Sequence, residues 1–317
     1  MLELTIVVPC FNEEDVIAET TKQLLSTLDE LVEESLIQPQ SHVLYIDDSS
    51  LDATWELISQ YSEQDPRVRG VQLSKNKGHQ IALLAGLEEA DGDITISMDA
   101  DLQDDPRIVR EMVLLANSGK DIVFGVRGKR ETDSFFKRST AELYYRVLKL
   151  FGVDLVFNHA DCRLMNRRAL DALKEFREVN LFLRGMVPTL GFSTALIEYD
   201  RLERFAGVSK YPLRKMLALA VDGVTSFSSV PLRVISMLGI GVFLLSILLS
   251  FWVLWVKLGQ GNAVPGWASS VLPMYILGGI QLFCIGVVGE YVAKSYLETK
   301  RRPRYFVRSR LVRSEND

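Results

Sequence analysis

Very few residues in this chain suit thiol or imidazole chemistry. Its 317 residues include three cysteines and three histidines. Cys10, Cys162 and Cys284 lie far apart with no CxxC spacing. That excludes a zinc ribbon and a disulfide framework, and leaves reduced thiols in a cytosolic domain as the expectation. His79 and His159 have no metal-ligand spacing to one another or to His42, so both are expected to be satisfied or supporting residues rather than bases. A basic excess is missing too: 36 Lys+Arg stand against 41 Asp+Glu, net −5. This balance speaks against nucleic acid as a partner. No basic segment precedes an apolar run at Met1-Leu2-Glu3, so no signal peptide is expected.

Charge itself is absent from two stretches. None occurs between Arg233 and Lys257, about 23 residues, and none between Lys257 and Glu290. A bilayer core needs about 20 apolar residues of helix, so residues 234–256 and 271–288 are predicted as two membrane spans joined by a Gly/Pro-containing linker. Basic residues flank the pair, with Arg201 to Lys215 before it and Lys294 through Arg313 after it, while the linker carries only Lys257. The positive-inside tendency then puts the large N-terminal domain and both termini in the cytoplasm. Residues 210–227 mix Leu213, Met216 and Leu217 with Arg214, Lys215 and Asp222, which predicts an amphipathic helix at the membrane surface.

What precedes the spans alternates between strand and helix patterns. Short β-branched runs are predicted as strands at 4–8, 43–46, 68–73, 94–98, 122–126 and 196–199. Helices are predicted at 12–36, with Asn12 or Asp15 as cap, and at 53–61, 79–90, 135–150 and from Pro106 onward. The alternation predicts an α/β domain with a mostly parallel sheet and ligands at the carboxyl ends of its strands.

Acidic turns sit at those ends. Asp99-Ala100-Asp101 follows the buried run 94–98. On an extended chain residues i and i+2 share a side, so the two carboxylates converge while Ala100 turns away. A hard divalent cation suits such a pair, since Mg²⁺ takes one or two carboxylates plus substrate phosphates. Arg204 and Lys210, with Gly207 and Ser209 between them, have a spacing that suits a tight loop around an anion.

Taken in order, Val7-Val8-Pro9-Cys10-Phe11-Asn12-Glu13, Ile46-Asp47-Asp48-Ser49-Ser50-Leu51-Asp52, Asn76-Lys77-Gly78 and Asp99-Ala100-Asp101-Leu102-Gln103 resemble the glycosyltransferase family 2 pattern in its GT-A, Rossmann-like fold. Asp161-Cys162-Arg163-Leu164-Met165, Phe182-Leu183-Arg184-Gly185, Arg204 to Tyr211 and the two apolar runs narrow this. They are similar to the polyprenyl-phosphate glycosyltransferases, which include dolichol-phosphate mannose synthases and bactoprenol glucosyltransferases. The resemblance implies four segments: a catalytic domain over 1–209, interfacial helices over 210–229, a transmembrane hairpin over 230–292 and a basic tail over 293–317.

It also implies roles. Pro9, Phe11, Glu13, Asp47 and Asp48 would hold the nucleoside of a nucleotide-sugar. Asp99, Ala100, Asp101 and Gln103 would hold its diphosphate, with Asp99, Asp101 and Gln103 on Mg²⁺ or Mn²⁺. Arg127 would sit near the donor, Arg204 and Lys210 would bind phosphates, and Asp161 would lie by the reacting centre. Apart from the resemblance, the basic helix face of Lys137, Arg138 and Arg146 offers candidates, one or another, for the phosphate of a polyprenyl phosphate acceptor, the alternative being a solvated face. Asp161 is read as orienting the acceptor, ordering a cation or taking a residual proton, or else as a structural carboxylate paired with Arg163 or Arg138. UDP-glucose is the expected donor, with GDP-mannose, UDP-N-acetylhexosamines and UDP-aminoarabinose as alternatives. Membrane lipids and a homotetramer are implied as partners. A processive polysaccharide synthase is disfavoured because its Gln-x-x-Arg-Trp motif is absent and two spans are too few for a channel. A non-catalytic lipid-binding protein would have no need of the acidic pair.

Overall fold

A computed structural model of the chain describes residues 1–127, 159–179, 181–199, 230–260 and 267–311. The chain divides into two compact units: an α/β unit that includes the C-terminal residues from Arg301, and a helical unit over most of 214–300.

The α/β unit is built on β1 (Leu4–Cys10), β2 (His42–Asp47), β3 (Val68–Leu73), β4 (Ile94–Ser97), β5 (Ile122–Arg127), β6 (His159–Asn166), β7 (Thr194–Tyr199) and β8 (Val307–Leu311). Its helices are α1 (Ile17–Glu33), α2 (Thr54–Gln64), α3 (His79–Glu89), α4 (Ile108–Asn117), α5 (Arg167–Lys174) and α6 (Leu183–Thr189). One sheet runs in the order β7-β5-β6-β4-β1-β2-β3-β8. Every residue of β1 and β2 is buried. Strands covered on both faces read as continuous apolar runs, as these do. Leu4, Ile6 and Val8 face α1, α2 and α4 through Ile17, Leu24, Leu28, Ile58 and Met112. Val7 and Ile46 face α3 on the other side, close against Gly86.

The sheet is mixed rather than mostly parallel. Four pairings are parallel, β1 with β2 and β4, β2 with β3, and β5 with β7. Three are antiparallel: β6 with β4 and β5, and β8 with β3. Neither β6 nor β8 is among the predicted strands, and these two supply all the antiparallel pairs. Helix α1 also begins later than its predicted start. Asn12 takes a left-handed φ of 55°, and its Oδ1 accepts from Leu51 N at 2.8 Å instead of capping a helix. Pro106 precedes α4 in a turn, and the helix opens at Ile108.

The helical unit holds α7 (Val230–Gln260) and α8 (Trp267–Thr299). Among the described residues one stretch, Leu277–Thr299, is long and apolar enough to cross a membrane, with mean hydropathy 1.2 and none of it buried. Its 23 residues would rise about 35 Å as helix. Val230–Val242 is a shorter apolar stretch. Exposed large apolar side chains recur along both helices, among them Met237, Ile240, Leu248, Phe251, Leu282 and Phe283. The predicted helices at 135–150 and 210–227 lie outside the described residues.

Candidate functional site

The carboxyl ends of β1, β2 and β4 carry three loops, and each is held in a tight conformation. Three of the five non-glycine residues with positive φ among the described residues are Asn12, Ser49 and Leu102, one in each loop. Such backbone strain persists only where neighbours over-determine it, and it clusters at functional sites. Here the neighbours are visible. Asn12 N donates to Ser50 Oγ at 2.9 Å, Glu13 N to Thr54 Oγ1 at 2.8 Å and Ala53 N to Glu14 Oε2 at 2.9 Å. The first two loops are thereby clasped together.

Asp47 and Asp48 end β2, both buried. Asp47 accepts from Ser50 N at 3.0 Å and from Gln72 Nε2 at 3.0 Å, which ties the loop to β3. The carboxylate of Asp48 takes one backbone N–H from Lys77 and one from Gly78, each at 2.7 Å, at the start of α3. Burial raises the Asp48 carboxyl above its ordinary range, against the pull of those two N–H groups. Pro9 lies in β1 opposite Ile46, and Phe11 just beyond it is exposed.

Beyond β4 the chain turns. Ala100 is buried in the core, and its carbonyl accepts from Thr20 Oγ1 at 2.8 Å. Asp99 and Asp101 on either side are half-buried, and the segment is a turn rather than the extended strand on which the expected convergence of the two carboxylates rested. Gln103 is buried, and its N–H donates to Asp101 Oδ1 at 3.3 Å. Burial pushes the Asp99 carboxyl up to about 6; His79 opposes this, and the charges of Asp161, Asp104 and Asp101 add to it. Asp99, His79 and Asp161 each offer a ligand atom within 4.8 Å of the others, a donor set that fits a divalent cation, and Asp101 is near enough for its charge to act on Asp99.

The antiparallel insertion of β6 brings Asp161 to this same edge. Ser97 pairs with Arg163, and Ser97 Oγ donates to the Asp161 carbonyl at 2.5 Å. The Asp161 side chain meets Arg163 Nη2 at 3.1 Å and Arg184 at 3.1 and 2.8 Å. His79 Nε2 stands 3.6 Å from Asp161 and 3.7 Å from Asp99. Burial works to raise the Asp161 carboxyl, but His79, Arg184 and Arg163 outweigh it and hold it well below the usual carboxylate range. Burial likewise works to lower the His79 imidazole, and the two carboxylates outweigh it, leaving it raised. Of the two pairings open to Asp161 in the sequence, Arg163 is realised, and Arg138 lies outside the described residues.

Arg127 closes β5 in register with Tyr199, whose hydroxyl donates to the buried Asp104. The backbone of Arg127 therefore stands at the same end of the sheet. Lys137, Arg138, Arg146, Arg204 and Lys210 lie outside the described residues. Two site residues escaped the sequence reading. His79 stood as a lone histidine, and Arg184 as part of a short motif without a partner. What signal there was lay in Lys77-Gly78-His79 directly after β3, at the strand end where the other loops gather.

Residues 5–174 match the family described as Glycosyl transferase family 2. The chain belongs to that family, and it is a glycosyltransferase. It is 50% identical over 306 residues to the glycosyltransferase YkoT of Bacillus subtilis (strain 168), covering 96% of this chain and 90% of YkoT. It is 38% identical over 310 residues to the bactoprenol glucosyl transferase of Shigella phage SfX, covering 98% and 100% of the two chains. In fold it is similar to mannosyl-3-phosphoglycerate synthase from Rubrobacter xylanophilus, with a TM-score of 0.50, 18% identity and 70% and 72% of the chains covered.

Proposed function

We propose that this enzyme transfers one glucose from UDP-glucose to a polyprenyl phosphate such as undecaprenyl phosphate, with inversion at the sugar carbon, to supply a lipid-linked monosaccharide for cell-envelope glycosylation. The observation that supports the reading is that the loop holding Asp99, Asp101 and Gln103 follows β4 and the loop holding Asp48 follows β2, at the carboxyl ends of the two parallel strands that flank β1. Near-full-length similarity to a bactoprenol glucosyl transferase supports the acceptor and the sugar.

In this reading Pro9, Phe11, Glu13, Asp47 and Asp48 cradle the nucleoside. Asp99, Asp101 and Gln103 hold Mg²⁺ or Mn²⁺ beside the donor diphosphate, with the Ala100 backbone against it. A bound divalent cation supplies charge neutralisation at the leaving diphosphate. Arg127, Arg204 and Lys210 add positive charge there, an electrostatic contribution aimed at the charge that develops in the transition state. An oxygen of the acceptor phosphate attacks the sugar carbon, the bond from that carbon to the diphosphate oxygen breaks, and the electron pair leaves with UDP. A phosphate monoester is already largely ionised near neutral pH, with a second pKa of about 6, so the attack needs no strong base. Asp161 lies beside the reacting centre, and Lys137, Arg138 and Arg146 approach the acceptor from the segment after β5.

The rest of the arrangement follows from where the acceptor lives. Residues 230–292 form two spans in the inner or plasma membrane, and residues 210–229 lie along its surface. The catalytic domain and both termini are cytoplasmic, and the assembly is a homotetramer. Purified full-length protein offered UDP-glucose, GDP-mannose, UDP-N-acetylhexosamines and UDP-aminoarabinose in turn, with undecaprenyl phosphate, tests the proposal by mass spectrometry of the lipid. A hexosyl phospholipid from UDP-glucose alone is expected; preference for another donor overturns the sugar assignment.

A further inference from the structure

Asp161 meets Arg163, Arg184 and His79. Its Oδ1 accepts from Arg163 Nη2 and from Arg184 Nε, each at 3.1 Å, and its Oδ2 accepts from Arg184 Nη2 at 2.8 Å, with His79 Nε2 at 3.6 Å. An ionised carboxylate has about four acceptor positions, and these contacts engage both oxygens. Its side chain is 11% exposed, whereas that of Arg184 is 32% exposed.

The scaffold behind the pair is rigid. Arg163 has no exposed surface, and its Nη1 donates to the Leu183 carbonyl at 3.3 Å while Nη2 holds Asp161. Leu183 N in turn donates to Gln80 Oε1 at 3.2 Å. The first residue of α6 is thus fixed to β6 and to α3, and Arg184 is the next residue along.

We infer that Arg184 is the contact for the acceptor's phosphate and that Asp161 is the positioning residue that holds its guanidinium in place. This rests on the reading that the acceptor is a polyprenyl phosphate. A guanidinium presents a planar fork that matches phosphate oxygens, and it is weakly hydrated enough to bind them at low cost. The His79 imidazole stands 3.6 Å from Asp161 and 3.7 Å from Asp99, and the ligand atoms of all three lie within 4.8 Å of one another, so a phosphate on Arg184 lies near the acidic group assigned to the donor diphosphate. Asp161 orients a cation toward the nucleophile and takes no proton from it.

The test is two-substrate kinetics on the full-length protein with UDP-glucose, Mg²⁺ and undecaprenyl phosphate. Arg184→Ala is expected to raise the acceptor KM about tenfold or more and leave the donor KM within about twofold. Arg184→Lys should recover part of the loss, and a raised acceptor KM in that variant carries the test if the alanine variant does not fold. Asp161→Asn should reproduce the acceptor effect, and the double variant Asp161→Asn/Arg184→Ala should be no worse than either single one, because both remove the same contact. An unchanged acceptor KM in both Arg184 variants overturns the inference. So does a loss in Asp161→Asn that falls on kcat alone and multiplies with that of Arg184→Ala, the behaviour of an independent base. Wild-type protein that glycosylates no lipid phosphate would sink the functional reading itself, a distinct result from an active wild type with unaffected variants.

Discussion

Gly86→Ala probes how the fold holds the candidate site. A Cβ at residue 86 would stand 2.2 Å from Val7 Cγ1 and 2.8 Å from Ile46 Cγ1. Ordinary carbon contacts are about 3.5–4.0 Å, so the closer approach is short by more than about 1 Å. Val7 and Ile46 are fully buried strand residues with nowhere to go, so α3 must ride outward. Overpacking of this size costs about 3 kcal/mol, and the better helix propensity of alanine offsets about 1 kcal/mol. A net loss of about 2 kcal/mol should lower the melting temperature by about 4–8 °C for a unit of this size. The displacement also reaches the site, because the same helix begins at the two N–H groups that Asp48 holds at 2.7 Å and at His79. Differential scanning fluorimetry and donor kinetics would show both effects, a lower melting point and a donor KM raised several-fold, and adding Val7→Ala should relieve the KM effect in part by removing the closer methyl, with the 2.8 Å approach to Ile46 Cγ1 remaining. A Gly86→Ala protein that melts at or above the wild type with an unchanged donor KM refutes the reasoning.

Other perturbations have equally definite outcomes. Asp101→Asn should leave the melting temperature within a few degrees and reduce turnover about a hundredfold or more, the scale of losing one preorganised charge contact; full activity would refute the metal assignment. Burial, then Arg69, pull the His42 imidazole down to about 4, against Asp91. The folded chain therefore resists a proton that the unfolded chain takes near pH 6.5, so stability is full above that pH and falls as pH drops toward 4, by on the order of 3 kcal/mol. His42→Gln should flatten that part of a stability-against-pH profile, and an unchanged acid slope would contradict the assignment. Tyr305 Oη donates to Glu88 Oε2 at 2.6 Å just before β8. Tyr305→Phe should cost about 1 kcal/mol in chemical denaturation, and no loss would mean that this contact does not anchor the C-terminal strand.

The strands β1 to β5 were legible because each is a short, buried, β-branched run with a turn after it. Their carboxyl ends were legible for the same reason, which is why Asp48, Asp99, Asp101 and Gln103 fall where the pattern put them. Strand β6 was not legible. Its sequence His-Ala-Asp-Cys-Arg-Leu-Met-Asn carries an aspartate and an arginine that point to no solvent face; Arg163 is buried against Asp161 and the Leu183 carbonyl instead. Local pattern does not reveal that Arg163 is buried, because one of its acceptors, the Leu183 carbonyl, is 20 residues away. Strand β8 was hidden differently. Val-Arg-Ser-Arg-Leu reads as a solvated basic tail, and it becomes a strand because the edge of β3 offers unpaired backbone groups and Glu89 meets Arg310 at 2.8 Å. His79 and Arg184 were missed for a similar reason: their significance lies in Asp161, which reaches them through the β6 insertion.

The central claim is that a divalent cation on the acidic pair drives transfer of a single sugar to a lipid phosphate. Mass spectrometry of the lipid product, after incubation of purified full-length enzyme with UDP-glucose and undecaprenyl phosphate in Mg²⁺ or in chelator, tests it directly. One added hexose per lipid in Mg²⁺ and none in chelator is the expected result. Equal product in chelator, or a ladder of several hexoses, would contradict it.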